Sequence, residues 1–122
     1  MSVVLDASAI LAFLLNEDGA ETVEAALTGD SCCGAANWSE AAQKVLAAGR
    51  DWGIVRALLE SYGIRVEAVT SDDAEWAARR WKRGEGLSLA DRLCLALGER
   101  ADSQVLTADL AWGSAGRVTQ IR

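Results

Sequence analysis

Histidine and proline are both absent from this chain, and tyrosine and phenylalanine occur once each. Without an imidazole there is no Ser-His-Asp or Cys-His nucleophile system, no histidine general base and no histidine metal ligand, so most hydrolytic designs are excluded. Without proline, extended linkers are disfavoured, and no disordered tail is evident. The three cysteines include the adjacent pair Cys32 and Cys33 and no C-x-x-C spacing. They therefore suggest neither a disulfide framework nor a zinc knuckle, and read as small core residues of a reduced protein. No apolar run approaches the roughly 18 residues of a membrane span. An acid as early as Asp6 argues against a signal peptide, so a cytoplasmic protein without membrane contact is expected.

Carboxylates are what remain for chemistry. Asp6, Glu40, Asp91 and Asp109 each fall beside an apolar run. If a fold gathers them, each pair repels by about 3 kcal/mol at ~5 Å and an effective dielectric near 20. A helix N-terminus returns only about 0.3–1 kcal/mol. A cation must supply the difference, and hard divalent ions prefer oxygen ligands. The acids thus point to a Mg²⁺ or Mn²⁺ site that handles phosphate. The net charge of −6 is awkward for a protein that binds nucleic acid. Part of it would be cancelled by the metal, and positive charge is concentrated in Arg79-Arg80-Trp81-Lys82-Arg83.

At 122 residues the chain has the size of one domain, residues 1–122, with enough apolar content for a core. Short apolar strands alternate with helical patterns, the sequence form of an α/β fold with a mainly parallel sheet. Strands are expected at Ser2 to Leu5, Ser31 to Ala36, Ile64 to Val69, Gln104 to Thr107 and Val118 to Ile121. Helices are expected at Ser8 to Asn16, Ala20 to Leu27, Asn37 to about Ala48, Asp51 to Ser61, a Ser71-capped run through Arg83, and Leu89 to Arg100. Ligands of open parallel sheets bind beyond the carboxyl ends of the strands. Asp6 and Asp109 follow strands directly, and Glu40 lies in the first turn of a helix after another, so topology alone converges three acids on one edge.

Each acid also has a purely structural reading. Asn37-Trp38-Ser39-Glu40 and Ser88-Leu89-Ala90-Asp91 both resemble capping boxes, Glu40 can pair with Lys44 one turn on, and Asp6 and Asp109 can cap the turns that follow them. Capping is the stronger reading for Glu40 taken singly, and Asp109 stays open. For Asp91 the functional reading is the stronger. Leu89, Leu93, Ala96 and Leu97 mark an apolar side of its helix and Arg92 and Glu99 a polar strip; Asp91 falls outside that strip beside Cys94, Leu95 and Gly98, where an unpaired charge is costly. Ser8 after Asp6, and Thr107 beside Asp109, suit supporting hydrogen-bond donors. Ala74, Ala77, Ala78 and Trp81 read as the buried stripe of the basic helix, which leaves Arg79, Arg80 and Arg83 as a solvated face, with contact to RNA phosphates as the functional reading.

Four stretches, taken in order, resemble the PIN-domain family and specifically its VapC-type toxins: Val4-Leu5-Asp6-Ala7-Ser8-Ala9, Asn37-Trp38-Ser39-Glu40, Gly86-Leu87-Ser88-Leu89-Ala90-Asp91-Arg92 through Leu97, and Val105-Leu106-Thr107-Ala108-Asp109. They span nearly the whole chain. The resemblance implies a three-layer α/β/α sandwich on a five-stranded sheet and a Mg²⁺- or Mn²⁺-dependent endoribonuclease. Asp6, Glu40, Asp91 and Asp109 match its acidic quartet, with Asp6, Asp91 and Asp109 as metal ligands. A carboxylate, Asp91 by preference, would assist deprotonation of water, leaving 5′-phosphate and 3′-hydroxyl ends. The resemblance further implies a homodimer and a small VapB-like antitoxin that places an arginine among the carboxylates.

Two alternatives belong to other classes. A phosphoacceptor receiver domain wants paired acids after strand one and a lysine near the last strand; here Asp6 stands alone and no lysine follows Lys82. A catalytically silent PIN-like scaffold that binds RNA or a protein partner is the second alternative, and the intact quartet weighs against it.

Overall fold

Eleven regular elements appear in a computed structural model that describes residues 2–122: β1 (Val3–Leu5), α1 (Ala7–Leu14), α2 (Ala20–Thr28), β2 (Ser31–Gly34), α3 (Ala35–Ala47), α4 (Trp52–Ser61), β3 (Arg65–Glu67), α5 (Ser71–Arg80), α6 (Leu89–Arg100), β4 (Gln104–Thr107) and β5 (Val118–Gln120). A short 3-10 turn, Leu110–Trp112, joins the last two strands. The strands form one sheet in the order β3-β2-β1-β4-β5, and each of its four ladders is parallel. No described helix is long and apolar enough to cross a membrane.

Side-chain alternation along the central strands divides the core in two. Leu5, Cys33 and Leu106 face one side and pack with Ile10, Val23, Leu27, Ala41 and Leu59 from α1, α2, α3 and α4. Val4, Cys32 and Val105 face the other, against Cys94 and Leu97 of α6. The result is the expected α/β/α sandwich. The three cysteines are buried free thiols. Helix α6 lies close on the sheet: a Cβ added at Gly98 would stand 2.4 Å from Val105 Cγ2, so only glycine permits this approach. Because Gly98 and Cys94 fix the sheet-facing side, Asp91, three residues before Cys94, is carried to the carboxyl edge of the strands.

Local chemistry moves several expected boundaries. Helix α3 begins at Ala35 with Gly34 as its N-cap, not at Asn37. Asn37 and Glu40 therefore form no capping box; the Asn37 amide instead donates to Glu40 Oε1 at 3.1 Å. The cap of α5 is Thr70, not Ser71, in a reciprocal box with Asp73. That helix stops at Arg80, and Trp81, expected in the core, is extended and 53% exposed. Two contacts explain this. Arg80 reaches Glu85 with both terminal guanidinium nitrogens, at 2.6 and 2.9 Å, folding the chain back. Near the other end of the helix Asp73 takes a buried place because Arg100 of α6 meets it at 3.1 Å, and the buried stripe runs through Asp73 and Ala77 rather than through Trp81. On α6, Leu89 is likewise exposed, and the buried side is Cys94, Ala96, Leu97 and Gly98.

Candidate active site

Asp6 ends β1 and enters α1 as its N-cap. The residue is buried, 3% exposed. Oδ1 accepts from the Ala9 amide at 2.8 Å and lies 2.7 Å from Ser8 Oγ. Oδ2 accepts from Thr107 Oγ1 at 2.6 Å. Burial raises the Asp6 carboxyl to about 6, against the opposing bonds from Thr107, Ala9 and Ser8, and the nearby charge of Asp91 pushes the same way as burial. Polar neighbours do not fully replace the water this carboxylate has lost, and a cation would.

Thr107 and Ser8 knit two strand ends together. The Thr107 hydroxyl accepts from the Asp109 amide at 3.0 Å while donating to Asp6, and Ser8 Oγ accepts from the Ala108 amide at 2.9 Å. Thr107, expected beside Asp109, thus bonds the Asp109 main chain and the Asp6 side chain. Because β1 and β4 pair in parallel with Leu5 opposite Leu106, Asp6 and Thr107 emerge side by side at one edge.

The other acids arrive from separate elements. Glu40 stands on α3, held by Asn37. Asp91 occupies the third position of α6, accepting from the Ser88 amide at 3.0 Å, while the Asp91 amide donates to Ser88 Oγ at 3.1 Å. The apolar burial expected for Asp91 is absent: the side chain is only partly covered and its charge is served by the cap. A helical wheel assigns a side but not a depth, and the first turn projects past the sheet. Asp109 is exposed and caps the 3-10 turn through the Ala111 amide at 2.9 Å.

Despite these local duties, all four acids line one cavity, together with Ser8, Asn37 and Lys44. Its volume is about 90 Å³, room for a hydrated cation. Asn37 and Lys44 are the residues that sequence reasoning missed in this role. Asn37 is fully buried; its amide nitrogen also meets Ala90 O at 3.3 Å, and its Oδ1 has no hydrogen-bond partner among the described residues. Lys44 forms no ion pair within the described residues, and the Glu40–Lys44 pair expected from their spacing is not made. The signal available for both was helical spacing from Glu40, at three residues before and four after.

Arg79, Arg80 and Arg83 do not reach this cavity. Arg79 meets Glu75 at 3.4 Å, Arg80 is held by Glu85, and Arg83 lies over the Trp81 ring, 5.9 Å from its centroid. Arg80 opens instead onto a separate groove of about 470 Å³ with Trp76 and Trp112. Cys33 and Cys94 are near Asp6 but contribute no thiolate: burial, reinforced by the Asp6 charge, pushes both thiols up.

The donor chemistry fits a hard divalent ion, since the cavity is lined by carboxylate oxygens and one of its carboxylates is buried and short of compensation. The acids are nonetheless splayed. Among the described residues no three acidic side chains stand close enough to hold one ion in this conformation. The caps on Asp91 and Asp109 and the Asn37 bond on Glu40 account for the spread. Mg²⁺ tolerates it, because it keeps several waters and needs only one or two carboxylates directly.

Comparison with known proteins gives the family and the likeness of fold. A sequence model described as the PIN domain matches residues 3–117. Ribonuclease VapC42 of Mycobacterium tuberculosis is 35% identical, across 79% of this chain and 82% of that protein. The toxin–antitoxin complex from Klebsiella pneumoniae superposes with a TM-score of 0.81, covering 99% of this chain and 98% of that one at 15% identity. The Mycobacterium tuberculosis toxin VapC20, described as cleaving the sarcin–ricin loop, gives a TM-score of 0.67, with 88% of each chain covered at 17% identity. At such identities the two structures are a likeness of fold.

Proposed function

The chain belongs to the PIN-domain family and is a VapC-type ribonuclease, and on that premise we propose that Asp6, Glu40, Asp91 and Asp109 hydrolyse RNA phosphodiesters with the help of Mg²⁺ or Mn²⁺. The observation that carries this reading is the meeting of four acids from four separate elements in one small cavity at the carboxyl edge of a parallel sheet. A bound divalent ion would lower the pKa of a water and offset charge at the attacked phosphate. Asp6, Asp91 and Asp109, which line the same cavity, are the residues that would hold it, directly or through its waters. Asp6 is the anchor, kept in place by Ser8, Thr107 and the Ala9 amide. Asp91, partly open to solvent, accepts the proton of the attacking water. Glu40, steadied by Asn37, lines the same cavity.

Lys44 is the cation of this cavity, and we assign it to the substrate phosphate. In Lys44→Gln, KM for RNA should rise about five- to tenfold with kcat little changed, and the slope of log affinity against log salt should fall by about 0.7. Lys44→Arg should retain both. An unchanged salt slope in Lys44→Gln would remove this residue from the substrate path.

The partners of this reading are RNA, a second copy of the chain and a small antitoxin, whose basic side chain would neutralise the acids as the metal does. The splayed acids favour one competing reading, a PIN-like scaffold that binds without cutting. One experiment separates them. Purified, antitoxin-free protein is incubated with total cellular RNA and Mn²⁺ or Mg²⁺, with EDTA controls, and the ends are mapped. Discrete cuts that vanish with EDTA and leave 5′-phosphates are expected. Persistence of cutting in EDTA would overturn the metal assignment, and intact RNA with folded, metal-loaded protein would favour the scaffold.

A further inference from the structure

Gln120 closes β5 directly across from Thr107 in the β4–β5 ladder. Its side-chain nitrogen donates to two main-chain carbonyls at once, Asp109 O at 2.9 Å and Gly113 O at 2.7 Å. These carbonyls bracket the 3-10 turn that Asp109 caps. At the far bracket Gly113 has φ +66°, its amide returning to Leu110 O at 3.1 Å while its carbonyl is met by Gln120 as the chain leaves the turn. On the near side, the Asp109 amide is already fixed by Thr107 Oγ1 at 3.0 Å. The peptide groups before and after the Asp109 Cα are therefore each pinned by a side chain from β4 or β5. The carboxylate itself is exposed, and only the Ala111 amide directs it. Gln120 Oε1 is buried without a partner, so the amide is spent on its two donor bonds alone.

We propose that Gln120 is a positioning residue for Asp109: by bridging the Asp109 and Gly113 carbonyls it fixes the turn from which that carboxylate enters the acid cavity. Its catalytic consequence rests on the reading of Asp109 as part of the nuclease site. Gln120→Leu keeps much of the side-chain volume and removes both donors, and nothing is lost at the unpartnered oxygen.

Two readouts test it. Cutting at saturating Mn²⁺ should fall about tenfold in Gln120→Leu, yet less than twofold when the same change is made in Asp109→Asn, where no carboxylate is left to position. Equal falls in both backgrounds, or no fall in the first, would overturn the catalytic consequence. Hydrogen exchange reads the positioning without catalysis. The Ala111 amide, which donates to Asp109 Oδ1, should exchange about tenfold faster in Gln120→Leu, while the Ile121 amide, bonded to Thr107 O at 3.0 Å, keeps its rate. Acceleration of both together would mean that the strand has merely loosened, and would sink the proposal. If the unmodified protein cuts no RNA at all, the nuclease reading fails while exchange at Ala111 still decides whether Gln120 holds the turn.

Discussion

Asp6→Asn should abolish RNA cutting and at the same time stabilise the metal-free protein at neutral pH. The loss of cutting follows from removing the one carboxylate that is both buried and bonded to three different residues at the strand edge, and should reach at least about 100-fold, the scale set by deleting a preorganised electrostatic group. The gain in stability follows from the same burial. The folded-state pKa of Asp6 is raised to about 6 from 3.8. Above pH 6 the group is ionised in both states, and the folded protein carries the full cost of a poorly hydrated charge, about 3 kcal/mol at most on this shift. As the pH falls through 6 the folded state takes up its proton first, so stability rises, and the gain is complete below 3.8. Asparagine has no such charge and can still accept from the Ala9 amide, while the Ser8 and Thr107 hydroxyls can rotate to accept. Thermal melts without metal from pH 7 to 4 should therefore show the native protein gaining stability across that window and Asp6→Asn nearly flat. A native profile flat across pH 4–6 would mean that Asp6 titrates normally and that the cavity imposes no demand for a cation. Cutting by the native protein at limiting Mn²⁺ should rise through about pH 6, as proton and metal compete for one carboxylate.

Much of this arrangement was legible in the residues themselves, and the reasons differ by element. Asp6 and Asp109 could be placed at the sheet edge because each follows an unmistakable apolar strand, and strand ends in a parallel sheet share one edge by topology. The start of Glu40's helix was misread because Gly34 serves as N-cap with no side-chain bond, leaving Asn37 to look like the first available cap. Periodicity carried no information about depth at helix ends. It put Trp81 in the core and gave Asp91 an apolar setting, whereas the chain turns away before Trp81 and α6 begins beyond the sheet. The basic run misled for another reason: Glu75 and Glu85, which hold Arg79 and Arg80, flank it, and only the fold shows which charges meet. Lys44 is the converse. Spacing paired it with Glu40, while the structure leaves it open on the cavity.

Two substitutions at Asp91 should separate its structural duty from its chemical one. As third residue of α6 it closes a reciprocal capping box with Ser88, at 3.0 and 3.1 Å, so Asp91→Ala leaves the Ser88 amide without its side-chain acceptor and should cost about 1 kcal/mol of stability. Asparagine offers an oxygen in the same place, and Asp91→Asn should lose only a few tenths of that, chiefly its charge at the helix N-terminus. Catalysis should not follow this order. If Asp91 accepts the proton of the attacking water, both variants lack the base, and both should cut at least about 100-fold more slowly at pH 7. Rates and melting temperatures measured on the same preparations discriminate cleanly. Cutting that tracks stability, nearly intact in Asp91→Asn and reduced only in Asp91→Ala, would reduce Asp91 to a helix cap and shift the base to Glu40 or Asp109. Equal loss of cutting with unequal loss of stability would establish that one carboxylate serves both: the cap holds Asp91 at the cavity mouth, partly in water, where a proton acceptor is useful.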